Sequence, residues 1–417
     1  MSRFTTYLKA RVRRLLIARS QGIDLSQLDR VPDSLAWPLH RVGPDPVPRL
    51  GELREQAPVA KLTSFLGMNV WLVTGEAESR QVLADTTSYS TDIRPFMGKR
   101  GSTTDGDIGG LGFTDPPEHT RLRKLVSRVF TLRRMEALRP RVREVAAELI
   151  AELPSRGPVD LMPGYALLLP VLVICELLGV PADDREEFVA WSNAMVDGTD
   201  EMESATKLHG YLSTLIEAKR ETPDDGLISA LIADADDDRL SHEELVAMAM
   251  MLLIAGHETT VNLIGNGLLA LRTHPEQRDL LRARPELLSA AVEEFLRFDS
   301  PVHSTPARFA AEDVEYAGVV IPAGAVVILS LAAANRDPDR FPDAAELRVD
   351  REAVGHTAFG HGLHHCLGAQ LARIEGQEAI GALLATRPDM ELAVDPAELA
   401  YRHSTLVRGL RTLPVRL

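Results

Sequence analysis

The sequence predicts a mainly α-helical chain with small β-sheets. Three observations carry this reading. Helical periodicity dominates from Glu118 to about residue 300. A second helical run covers 367–385. Between them, segment 312–331 alternates apolar and polar residues, the pattern of short strands. A hydrophobic share of 45% and a mean hydropathy of −0.05 fit a protein with a sizeable buried core. No composition shift marks a linker and no internal repeat stands out. Residues 1–417 are therefore read as one domain, with 1–48 an N-terminal extension and lead-in.

In chain order, residues 4–19 are basic, lack an apolar stretch, and read as a solvated helical extension rather than a signal peptide. Five prolines make 31–48 an irregular lead-in. Leu53 to Leu83 reads as a helix followed by short strands, with Val70 to Val73 the clearest. Six glycines and almost no large apolar groups make 98–112 a long loop. Residues 242–272 form a long helix, apolar on nearly all sides and so buried, opened by a capping box of Ser241 and Glu244. Another helix covers 286–298. Ile321-Pro322-Ala323-Gly324 reads as the turn of a hairpin that resumes at Ala325 to Leu329, and the C-terminus is strand-like.

A formal charge of −14 argues against nucleic acid as a partner, because phosphates need a basic surface. Only Cys175 and Cys366 occur, which excludes a disulfide framework and points to a reducing, cytoplasmic setting. The longest apolar run, Leu245 to Gly256, has 12 residues. Spanning a bilayer takes about 20, so no transmembrane anchor is expected.

The most informative segment is Phe359-Gly360-His361-Gly362-Leu363-His364-His365-Cys366-Leu367-Gly368, which leads into a helix through Glu375. Its glycines permit positive φ, and with it a turn whose backbone N–H groups aim at one sulfur. The helix N-terminus that follows favours a thiolate able to bind iron. Two other readings stand beside this. His356, His361, His364 and His365 with Cys366 suggest zinc, although zinc sites usually bring paired ligands at short spacing. A buried structural cysteine is the second alternative, and it is the preferred reading for Cys175 within its apolar helix.

The long helix carries Ala255-Gly256-His257-Glu258-Thr259-Thr260 at its middle. An acid and two hydroxyls inside a buried helix cost free energy unless they have partners or a task. Thr259 can also bond back to the carbonyl one turn earlier, so a kinked helix with a satisfied acid is the bland alternative.

These segments resemble the cytochrome P-450 family. Its haem-binding signature, Phe-x-x-Gly-x-His/Arg-x-Cys-x-Gly, is met at Phe359, Gly362, His364, Cys366 and Gly368, and its Ala/Gly-Gly-x-Asp/Glu-Thr-Thr/Ser motif at residues 255–260. The likeness spans roughly residues 50–417, with the motifs in the family's order. It implies the triangular, α-rich cytochrome P-450 fold and haem b (iron protoporphyrin IX) with Cys366 as axial iron ligand. In that family the thiolate pushes electron density that favours O–O cleavage, a property that comes with the resemblance and not from these residues. Ala255 and Gly256 would leave room for dioxygen, and Glu258 and Thr259 would deliver protons.

The resemblance extends to supporting residues. Glu294 and Arg297, on one helix face at i, i+3, match the family's structural Glu-x-x-Arg pair. Arg351 is the candidate third member, although the lead-in before it is altered to Asp343-Ala344-Ala345-Glu346-Leu347. His119 and Arg123 match a His-x-x-x-Arg helix, and with Arg308 and His364 they would hold the haem propionates. The substrate pocket would be walled by Phe96, Met97, region 188–215, Val302, His303 and Ser404 to Leu406.

The enzyme so implied is a monooxygenase that hydroxylates or epoxidises a small organic substrate, free or carrier-bound, in secondary metabolism. No dinucleotide fingerprint or flavin domain occurs, so electrons would come from a separate ferredoxin-type protein. Nine basic residues between Arg121 and Arg143 (Arg121, Arg123, Lys124, Arg128, Arg133, Arg134, Arg139, Arg141, Arg143) face one acid, Glu136, and mark the docking side for an acidic partner. Peroxygenase relatives lack the acid–threonine pair present here. A non-enzymatic haem sensor gives no reason to keep Glu258 and Thr259.

Overall fold

The computed structural model describes residue 45 and residues 47–65, 68–92, 110–197, 200–233, 239–316, 318–402 and 406–417. The basic extension, nearly all of the proline-rich lead-in, most of the glycine-rich loop, Phe96, Met97 and Ser404 lie outside the described residues.

The helices are α1 (Val47–Gln56), α2 (Glu76–Ala84), α3 (Glu118–Ser127), α4 (Leu132–Glu152), α5 (Leu168–Leu178), α6 (Arg185–Asp197), α7 (Glu201–Glu221), α8 (Leu227–Ala233), α9 (His242–Thr273), α10 (Pro275–Ala283), α11 (Leu288–Phe298), α12 (Leu331–Asn335) and α13 (Ala369–Thr386). The strands are β1 (Val59–Phe65), β2 (Met68–Val73), β3 (Tyr89–Ser90), β4 (Pro158–Asp160), β5 (Arg308–Ala310), β6 (Val314–Tyr316), β7 (Val319–Ile321), β8 (Val326–Leu329), β9 (Glu391–Leu392) and β10 (Pro414–Arg416). They form sheets ordered β1-β2-β8-β5-β3, β4-β10-β9 and β6-β7.

The expected hairpin is present but turns elsewhere. β6 pairs with β7, Val314 opposite Ile321 and Tyr316 opposite Val319, so the chain reverses between Tyr316 and Val319, and Gly318 has φ 75°. The Pro322–Gly324 turn instead redirects the chain into β8, which pairs in parallel with β2 and antiparallel with β5. Val327 and Leu329 are fully buried there. A two-stranded edge hairpin could not bury them, which is why β8 joins the larger sheet.

Helix α9 runs through the core against α5, α7 and α13. Its capping box forms as expected: the Ser241 hydroxyl accepts from Glu244 N (3.1 Å), and Glu244 Oε2 accepts from Ser241 N (2.8 Å). By length and composition it is the one helix among the described residues that could cross a membrane, a test that the buried core helix of a globular protein also passes. Over half of its most apolar window (56%) is already covered by the rest of the protein.

The Glu294–Arg297 pair on α11 is fully buried. Arg297 uses all five of its donors. Nε and Nη2 donate to the Glu294 carboxylate (2.7 and 2.8 Å), Nη1 to the carbonyls of Asn335 and Ala344 (3.1 and 2.8 Å), and Nη2 also to Glu346 O (3.0 Å). Glu294 Oε1 further accepts from Arg348 N (2.9 Å) and Arg351 Nε (3.2 Å). Arg351 is thus the third member, and the altered lead-in is immaterial because it contributes carbonyls rather than side chains.

Candidate functional site

A cavity of about 360 Å³ lies between α9 and the segment 358–368. Met251, Leu252, Ala255, Gly256, Thr259 and Thr260 form one wall; Phe359, Gly360, His364, Cys366 and Gly368 form the other. The cysteine loop owes its shape to two glycines. Gly360 and Gly362 have φ of 72° and 71°, and a Cβ at Gly362 would stand 2.9 Å from the Leu83 carbonyl oxygen. The loop closes where Cys366 N donates to Phe359 O at 2.9 Å.

Cys366 has accessible surface, and it opens onto this cavity. Burial pushes its thiol up, against the backbone N–H of Gly368, the guanidiniums of Arg123 and Arg373, and the N–H of Ala369. A metal cation bound at the sulfur would favour the thiolate, since a coordinating thiol is deprotonated outright.

One edge of the cavity gathers His119, Arg123, Arg308 and His364. The His119 and His364 rings are 4.2 Å apart. Burial, with His119 and Arg308 nearby, brings His364 down to about 4. Burial and Arg123 likewise lower His119. Both nitrogens of His119, Nδ1 of His364, and Nε and Nη1 of Arg308 are buried without a hydrogen-bond partner among the described residues. Such a concentration of orphaned polar atoms is costly unless acceptors meet it. Two propionates facing a sulfur across the same cavity fit it.

On α9, Thr259 Oγ1 donates to Ala255 O at 2.5 Å, the back-bond expected, and the helix stays unbroken. Gly256 meets the cavity, but the direction a side chain would take is filled: its Cβ would lie 2.9 Å from Ile174 Cδ1. Its smallness serves the approach of α5. Ala255 remains to leave room. Glu258 does not line the cavity. Successive helical residues point about 100° apart, and Glu258 faces Arg402 instead. Burial raises its pKa, with Arg402 opposing.

Of the expected substrate wall, Val302 is in place. His303 is fully buried with Nε2 3.2 Å from Asp299 Oδ1, and it does not line the cavity. Leu406 is not a lining residue either; its carbonyl accepts from His303 N (2.8 Å) and Ser304 N (3.2 Å). Val302 bridges to Val407, and alternate residues of extended chain face opposite sides. Among the described residues, none of 188–215 lines the cavity.

Two residues escaped the sequence reading. Glu375, on α13, lines the cavity, and burial raises its pKa well above the carboxylate range. Asp115 accepts from Ser90 Oγ (2.5 Å), Thr91 N (3.0 Å) and Thr91 Oγ1 (2.8 Å). Burial opposes its ionisation, but these bonds and nearby His364 hold it below the usual carboxylate range. Both acids adjoin recognised motifs, which was the available signal.

The zinc alternative fails on geometry. His356 bonds Glu293 (3.1 Å), His361 bonds Arg80 (3.1 Å) and His364 approaches Thr91 (3.5 Å). No metal-ligating group of three or more forms among the described residues. Cys175 is fully buried on α5, and its thiol is pushed up to about 12 by burial.

Comparison with known proteins places this geometry. Residues 195–386 match the family model described as Cytochrome P450. The chain is 57% identical over 380 residues to vitamin D(3) 25-hydroxylase of Pseudonocardia autotrophica, covering 89% of this chain and 94% of that one. It is 43% identical over 383 residues to mycinamicin IV hydroxylase/epoxidase of Micromonospora griseorubida (88% and 94%). The solved tirandamycin C-bound P450 monooxygenase TamI superposes with a TM-score of 0.79 at 45% identity, over 89% of this chain and 97% of that one.

Proposed function

The chain belongs to the cytochrome P450 family, and from that premise we propose that it hydroxylates or epoxidises a small, largely uncharged organic substrate of secondary metabolism, with Cys366 as the thiolate that would hold its haem iron. As a member of that family it is a haem monooxygenase. When bound, the haem supplies dioxygen activation, so that substrate, O2, two electrons and two protons give oxygenated product and water. The protein's own residues do the rest. His119, Arg123, Arg308 and His364 hold the propionates, Ala255 leaves space, and Thr259 presents a hydroxyl to the cavity. The single observation that carries this reading is Cys366 facing Ala255 and Thr259 across one cavity edged by orphaned donors. Leu111, Met251, Leu252 and Val302 wall that cavity without charge, which supports an apolar substrate. Two free cysteines support a cytoplasmic setting.

The reduced, carbon-monoxide-bound protein is expected to show the red-shifted Soret band of thiolate ligation, and Cys366→His to abolish it. A histidine-type band in the wild type would overturn the assignment. A spectral binding screen of diverse small apolar compounds, offered free and tethered to carrier protein, then identifies the substrate.

Electrons are proposed to come from an acidic ferredoxin-type protein. Much of the basic run is neutralised internally: Arg121 pairs with Glu244, Arg139 with Glu136 and Glu378, Arg141 with Glu144, Glu148 and Glu176, and Arg143 with Glu378. Lys124 and Arg133 remain exposed, near exposed Leu132. Reduction by an acidic ferredoxin should slow steeply with ionic strength, and Lys124→Glu with Arg133→Glu should slow it about tenfold at low salt without changing substrate binding. Salt-independent reduction with silent charge reversals means docking elsewhere.

A further inference from the structure

Glu293 stands beside Glu294 on α11 but takes different partners. Its Oε1 accepts from Arg373 Nε at 2.5 Å, and its Oε2 from Arg373 Nη2 at 2.9 Å and His356 Nε2 at 3.1 Å. His356 Nδ1 accepts the Ala358 N–H at 3.2 Å, so its Nε2 proton is the one turned to Glu293. Held this way, the Arg373 guanidinium lies over the Phe359 ring, 4.6 Å from its centroid, and the His356 ring is 5.8 Å from the same ring. Phe359 is also the residue whose carbonyl receives the Cys366 N–H. Arg373 of α13 and His356 thus meet on the Phe359 ring, and Glu293 of α11 holds both.

We propose that Glu293, Arg373 and His356 form a clamp that positions Phe359, and that the balance of Glu293's negative and Arg373's positive charge sets the reduction potential at Cys366's iron. The inference rests on Cys366 being that ligand. These are positioning residues, since none of the three has a role in the proton path or the propionate set. The side chains of Glu293 and Arg373 are 16% and 27% exposed, so their charges act through a poorly screening medium. Burial opposes ionisation of Glu293, yet its bonds to His356 and Arg373 bring it down to about 2, so its charge persists throughout the working range.

The sign follows from electrostatics. Removing Glu293's charge leaves Arg373 uncompensated beside the thiolate, which favours the reduced state. Removing Arg373's charge leaves Glu293 and favours the oxidised state. Spectroelectrochemical titration of purified holoenzyme should show Glu293→Gln raising the reduced-to-oxidised ratio at fixed electrode potential by about tenfold, which is about 59 mV for one electron. Arg373→Gln should lower that ratio by a similar factor, and the double variant should return near wild type. Arg373→Lys keeps the charge and should stay within about twofold. If Arg373→Gln does not hold haem, the contrast between Glu293→Gln and Arg373→Lys still decides. Unchanged potentials, shifts of one sign in both Gln variants, or a Lys variant that moves as far as Glu293→Gln would each overturn the clamp's electrostatic role. A wild type lacking the thiolate-type Soret band would instead overturn the ligand assignment, so the two failures are distinct.

Discussion

Replacing Arg297 with alanine is expected to abolish recovery of haem-loaded protein. The substitution removes one side chain but strands several groups. Glu294 loses two charge-assisted bonds in a fully buried site, and the carbonyls of Asn335, Ala344 and Glu346 lose a donor. Breaking a buried pair by removing one partner costs roughly 3–5 kcal/mol. Whole domains are stable by only about 5–15 kcal/mol. Arg351 remains on Glu294 at 3.2 Å, so some anchoring of the acid survives, but Arg351 cannot reach what Nη1 held without giving up its own partners. Arg297→Lys should fare little better, because an ammonium has three donors where five are used, and no planar fork. The segment these bonds fix, 335–351, leads directly into the cysteine loop, so haem retention should fall with stability. The haem-to-protein ratio and the urea midpoint check this. Soluble holoenzyme of ordinary stability from Arg297→Ala would show that the pair is dispensable.

That network also shows how far a sequence can be read. Glu294 and Arg297 stand three residues apart on a helical pattern, so their pairing is local and legible. Arg297's remaining partners are backbone carbonyls 38 to 49 residues away, which carry no side-chain signature. The altered residues 343–347 therefore raised a doubt that the structure removes. The helices and the capping box of α9 were legible for the same local reason, as were the positive-φ glycines at 360 and 362. The destination of β8 was not, because four apolar residues do not say which sheet will bury them. His303 was misplaced because strand parity depends on a register set by Val407, 105 residues onward. The basic run overstated its own charge, since Glu378, which pairs with both Arg139 and Arg143, comes from α13, far along the chain. Local chemistry was legible; long-range cancellation was not.

The separation of Glu258 and Thr259 leads to the second large effect, a split between two kinds of failure. Thr259 lines the cavity and donates to Ala255 O, so its oxygen lone pairs are available to accept a proton-bearing partner while its own proton has a resting place. Glu258 lies on another side of α9, half-buried and raised in pKa, near Arg402. The arrangement suits a relay in which the acid takes protons from the Arg402 side and the hydroxyl fixes where they arrive. Glu258→Gln should then slow turnover as a whole. A positioned acid–base group typically contributes about 10²–10⁴-fold, and the loss should fall at the lower end if water partly substitutes. Thr259→Ala should leave oxygen and reductant consumption running while product per electron collapses and hydrogen peroxide accumulates. Neither variant should lose haem. Thr259's hydroxyl bonds only within its own helix in the contacts described above. A group whose folded pKa is raised contributes its stability below the unfolded value and loses it as pH rises, so at neutral pH the buried acid is already unfavourable, and its neutral amide should cost nothing. Product yield, oxygen uptake and peroxide measured on the same holoenzyme samples separate the outcomes. Unchanged yield per electron in both variants would sink the relay. Identical uncoupling by both would mean that the two groups act at one point, against their placement on different sides of α9.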